Sequence, residues 1–137
     1  MIIKNVKVKE DIKTNSVKTF SAPNLIEAEN IFANSATSFS VPKLRYTWAI
    51  CADSAKKLSV LNLKEAWSIF ANSAKDFLAF ELKVVAWDIY AKSAEKFSVP
   101  NLKGIRGIDA YSAKSFSAPK LETADDICIY SAETIEL

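Results

Sequence analysis

Serine stands at Ser16, Ser35, Ser54, Ser73, Ser93, Ser112 and Ser131, in steps of 19, 19, 19, 20, 19 and 19 residues. The segments around these anchors are near copies of one another: "SATSFSVPKL" from Ser35, "SAEKFSVPNL" from Ser93 and "SAKSFSAPKL" from Ser112. A near-constant step through a chain of 137 residues predicts a solenoid, in which each repeat buries its apolar side only against its neighbours.

The next question is what backbone the repeat adopts. Taken alone, "NLKEAWSIFANSAKDF" suggests a helix, because Leu63, Ala66, Trp67, Phe70, Ala71, Ala74 and Phe77 follow helical spacing. Comparison between repeats removes that reading. The position of Trp67 is Glu29, Trp48, Trp87, Arg106 or Asp125 elsewhere, and that of Phe70 is Phe32, Cys51, Tyr90, Asp109 or Cys128. A buried stripe does not accept Glu, Arg and Asp, so both positions face outward. Three other series stay apolar: Leu25 to Leu121, Ile31 to Ile127, and Phe20 to Phe116 with Leu58 among them. Around Ile and Phe the apolar spacing is two, as in Ile69-x-Ala71 and Phe39-x-Val41, which is the period of a strand with one buried face. Pro23, Pro42, Pro100 and Pro119 follow the second strand, where proline ends pairing. The chain has only two glycines, so the corners fall to Asn, Asp, Ser and Pro.

The fold expected is all-β: a parallel β-solenoid of about seven 19-residue coils, two short strands per coil, stacked at about 4.8 Å. Residues 14–137 form the solenoid. Residues 1–13 form a capping strand, with Ile3, Val6 and Ile12 inward, Lys9 where a small apolar residue belongs, and the charges of "KVKEDIK" blunting the edge. The C-terminal edge, with Ile135 and Leu137, is the less protected, and end-to-end pairing through it is an open option.

The unit "A-x-x-F-S-V-P-x-L-x-x-A-x-x-I" resembles a shortened leucine-rich repeat of the bacterial surface-antigen (BspA-like) kind, over residues 14–137. That resemblance implies a solenoid that binds other macromolecules. Similar tandem Ser-Ala-Pro repeats in bacterial and prophage reading frames imply a phage or prophage inhibitor that blocks a host or defence complex, of the anti-CRISPR type.

Chemistry is limited by what the chain lacks. There is no histidine, so the seven serines have no partner base for nucleophilic work and are expected to cap turns through their hydroxyls. Catalytic, cofactor and metal sites are therefore expected to be absent; the acidic trio Asp109, Asp125 and Asp126 is read as a solvated patch. Net charge is only +2, and Arg45 and Arg106 are the only arginines among 18 basic residues. Such a chain is poorly equipped to grip nucleic acid. No run of roughly 18 apolar residues suits a membrane, and the opening "MIIKNVKVKEDIK" lacks a secretory signal pattern. Cys51 and Cys128 fall in one outward column four coils apart, on the order of 19 Å, too far for a disulfide. Two free thiols fit the reducing cytoplasm.

In a stacked solenoid, equivalent positions form columns. Trp48, Trp67 and Trp87 share one column on three consecutive coils, beside Phe32, Cys51, Phe70 and Tyr90 in the next. An exposed aromatic stripe marks an interaction surface. The expected partner-binding residues are Trp48, Trp67, Trp87, Phe32, Phe70 and Tyr90. The expected function is non-enzymatic binding of a protein partner, with a self-associating homo-oligomer or a glycan-binding tryptophan ladder as alternatives. A second apolar interruption, at Leu61, Leu78 and Phe80, falls on the other sheet.

Overall fold

The structure is a computed structural model that describes residues 7–14 and 16–137; Ile3 and Val6 of the expected cap lie outside them. Among the described residues every regular element is a strand, and all strand pairs are parallel. The chain winds as a β-solenoid of about seven coils.

Each coil contributes to two sheets. In the first, Ile12–Lys13, Glu27–Phe32, Tyr46–Cys51, Ser68–Phe70, Asp88–Tyr90, Gly107–Asp109 and Asp126–Cys128 lie side by side in sequence order. The register sets Ile12, Ile31, Ile50, Ile69, Ile89, Ile108 and Ile127 directly against one another. The second sheet runs through Lys57–Ser59, Asp76–Leu78, Lys96–Ser98, Ser115–Ser117 and Thr134–Glu136, and it stacks Leu58, Phe77, Phe97, Phe116 and Ile135. Thr19–Ser21 and Ser38–Ser40 pair separately, with Phe20 on Phe39.

Burial follows the apolar series. Phe20, Leu25, Ile31, Leu44, Ile50, Leu63, Ile69, Phe77, Leu82, Phe97 and Phe116 are fully enclosed, with alanines between them. Phe97 stacks on Phe77 at 4.8 Å and on Phe116 at 5.0 Å between ring centroids. Each such pair adds about 0.5–1.5 kcal/mol beyond its area burial. The interior alanines, among them Ala33, Ala52, Ala71, Ala91 and Ala110, are fully buried between the larger apolar columns.

The corners need no glycine. Ala36 N–H donates to Ala33 C=O (3.1 Å) and Leu44 N–H to Val41 C=O (3.1 Å), closing tight turns. No described residue has positive φ. Asn34, Asp53 and Asn72 knit one corner along the axis: their side-chain oxygens accept from the backbone N–H of Asp53, Asn72 and Lys92 on the next coil.

Two irregularities depart from the simple repeat. At the start, Lys7 bridges Glu27 while Ile12 pairs with Ile31, which puts one extra residue between them. Val8, not Lys9, therefore packs against the core, and Lys9 is exposed. In mid-molecule, Val85 pairs with Ala66 but Ile89 with Ile69, so one coil carries an extra residue around Ala86. This bulge breaks the strand into Val84–Val85 and Asp88–Tyr90.

Candidate functional site

The outward face of the first sheet is built from two columns separated by a row of small buried residues. One column holds Glu27, Tyr46, Glu65 and Val84, fixed by direct pairing. The other holds Glu29, Trp48, Trp67, Trp87, Arg106 and Asp125. Pairs flanking Glu29 and Trp48 set those two side by side. Successive backbone bonds of 2.7–2.9 Å link Trp67 to Trp48, Trp87 to Trp67, Arg106 to Trp87 and Asp125 to Arg106. Between the columns lie Ala28, Thr47 and Ala66, all buried. Thr47 donates its hydroxyl to the Glu29 carbonyl at 2.8 Å, so its polar group is satisfied in place.

Small residues in the middle and aromatic ones at the sides produce a groove of about 500 Å³. Its walls include Tyr46 and Val84 on one side and Trp48 and Trp67 on the other. Glu27, Glu29, Glu65, Val8, Lys9 and Ala86 complete the lining. The two indoles stack with centroids 4.9 Å apart and planes 9° apart. Trp48 is 43 % exposed and Trp67 51 %, which is a large apolar area left in water.

The six aromatic residues expected from the sequence separate here. Trp48 and Trp67 line the groove. Trp87 belongs to their column by its backbone, since its N–H donates to the Trp67 carbonyl at 2.8 Å. Its ring does not continue their stack: the bulge carries it under the Arg106 guanidinium, 5.5 Å from the ring centroid. Phe70 and Tyr90 stack on each other at 5.0 Å in the adjacent column, and with Phe32 they are only partly exposed. Tyr46, the glutamates and the alanine floor join the site without having been singled out in the sequence. The signal of Glu27, Tyr46 and Glu65 was present as an outward column beside the tryptophans, and the groove lies between the two columns.

Beside the groove a polar clip holds the bulge. Arg106 donates Nε to Asp88 Oδ1 at 3.0 Å and pairs through its terminal nitrogen with Oδ2. The Tyr90 hydroxyl donates to the same carboxylate at 3.1 Å. The hydrogen bond from Arg106 holds the Asp88 carboxyl below the usual carboxylate range, against the opposing push of its burial. The hydrogen bond that Tyr90 itself donates to Asp88 pushes that phenol up.

The thiols of Cys51 and Cys128 are free, and both are pushed up, chiefly by burial and then by a neighbouring aspartate. Protonated thiols are poor nucleophiles. Among the described residues no three His, Cys, Asp or Glu side chains converge to hold a metal ion, and no helix is long and apolar enough to cross a membrane. Comparison with known protein families, curated proteins and solved structures gives no match.

Proposed function

We propose that this chain is a non-enzymatic binding module whose groove, walled by Tyr46, Trp48 and Trp67, receives a segment of a protein partner. The observation that carries the reading is the exposure of these three aromatic side chains, 40 %, 43 % and 51 %, around one groove on a hydrogen-bonded sheet. Tyr and Trp are the residue types that anchor interfaces. A groove set by sheet register loses little freedom on binding, so more of the contact energy appears as affinity.

A rigid module of this kind suits blocking or scaffolding, which favours the role of an inhibitor that occludes a larger assembly. The leucine-rich-repeat likeness of the unit and its prophage flavour support that version. Free thiols favour a reducing compartment such as the cytoplasm. Self-association is the second reading, favoured by Leu61 and Phe80, 42 % and 40 % exposed, which lie in the turns after Lys57–Ser59 and Asp76–Leu78 and not on the second sheet where the sequence placed them. A glycan platform is the weaker alternative. It needs a run of open indole faces, whereas Trp48 and Trp67 shield one another and Arg106 covers Trp87.

Affinity capture from cell lysate, comparing the wild-type protein with Trp67→Ser, tests the proposal. Loss of specific partners in the variant, with the β-sheet circular dichroism unchanged, is the expected result. Recovery of the same proteins with both baits rejects the groove as the binding site.

A further inference from the structure

The tryptophan column is asymmetric in charge. At its far end a cation is built in: Arg106 lies over Trp87, bonded to Asp88, with Asp125 next in the column. At its near end no cation is paired in the same way among the described residues. Trp48 gives one face to Trp67, and its other face turns toward the coil of Glu29. Glu29 and Glu65 both line the groove and take part in no ion pair among the described residues. Glu27 is engaged by Lys7 at 3.5 Å, and Lys9 is the single basic residue on the lining among the described residues.

A carboxylate beside an open indole face attracts a guanidinium twice, through the charge and through the ring quadrupole. Resting on the reading of the groove as a protein-binding site, we infer that its occupant is a basic segment of the partner. One arginine of that segment lies against the outer face of Trp48 and pairs with Glu29, reproducing in trans what Arg106 does on Trp87. Glu65 receives a second basic side chain along the groove. Arginine fits better than lysine, because its planar head stacks on indole and forks onto a carboxylate at once.

The test is tryptophan fluorescence titration of the full chain with capped hexa-arginine, hexa-serine and hexa-glutamate peptides, with sedimentation velocity on the same samples. Saturable quenching by hexa-arginine alone, weakened at least about fivefold in Glu29→Gln and in Glu65→Gln, supports the inference. Equal binding of the serine or glutamate peptide overturns it, as does unchanged arginine affinity in both Gln variants. Spectral change that tracks only self-association in the sedimentation data also overturns it. Absence of any peptide binding while capture still depends on Trp67 sinks the charge assignment alone. Capture indifferent to Trp67 removes the groove reading beneath it.

Discussion

Gly107 has no room for a methyl group. A Cβ there would stand 2.7 Å from Asp88 Oδ1, and that oxygen is held by Arg106 while its partner oxygen is held by Tyr90. Gly107→Ala is expected to expel the carboxylate from the clip and lower unfolding stability by about 1–3 kcal/mol. Urea denaturation checks this, and a midpoint equal to wild type rejects it. The pH dependence has a definite sign. Arg106 holds the Asp88 carboxyl below its ordinary value in the folded state, so the stabilisation is present above the unfolded value, roughly 3.9. It disappears as pH falls through the lower folded value. Wild type and Asp88→Asn should therefore differ in urea midpoint at pH 7 and converge below about pH 4. Arg106 is half exposed, so water screens the pair and the difference is modest. Parallel curves over that range contradict the assignment.

At the scale of elements, the Phe column and the bulge do different work. Phe97 is fully buried between two rings, and Phe97→Ala is expected to cost about 3–5 kcal/mol, because stacked coils collapse poorly into a cavity at mid-column. Thermal unfolding measures this. The bulge governs the neighbouring surface. Deleting Ala86 restores the 19-residue step, and the expected outcome is that Trp87 joins the Trp48–Trp67 stack. That change strengthens the tryptophan exciton couplet in circular dichroism. An unaltered couplet in a folded variant shows that the bulge does not decide where Trp87 goes.

Across the whole molecule, coils are held mainly by their neighbours, so stability is a sum over interfaces and not one global core. The central coils have partners on both sides. In the last coil, Ile127 and Ile129 are only partly buried, and Tyr130, Ile135 and Leu137 are exposed. Native-state hydrogen exchange of this chain should show the slowest amides near Ile50, Ile69 and Phe97 and the fastest in Asp126–Cys128 and Thr134–Glu136. Uniform protection along the axis contradicts the nearest-neighbour account.

The repeat interval by itself determined the winding, the parallel pairing and the stacking of like on like. A 19-residue period with the same apolar positions in each copy has one economical arrangement, in which Ile meets Ile and Phe meets Phe. It also determined which columns face water, since Glu, Arg and Asp replace Trp in one of them. The repeat pattern also confined the extra residue to the stretch from Lys83 to Ala86, and the register puts it around Ala86. The extra residue near the start was not legible, so Val8 packs against the core where Lys9 was expected. The groove was also illegible in the sequence: its walls come from two columns, and packing decides that the small buried Ala28, Thr47 and Ala66 leave a groove between them. Asp88 and Arg106 lie 18 residues apart in positions that break the repeat, so no local pattern joins them. Repetition encodes what neighbouring coils share, whereas the site consists of places where they differ, and only packing in three dimensions decides how unlike side chains meet.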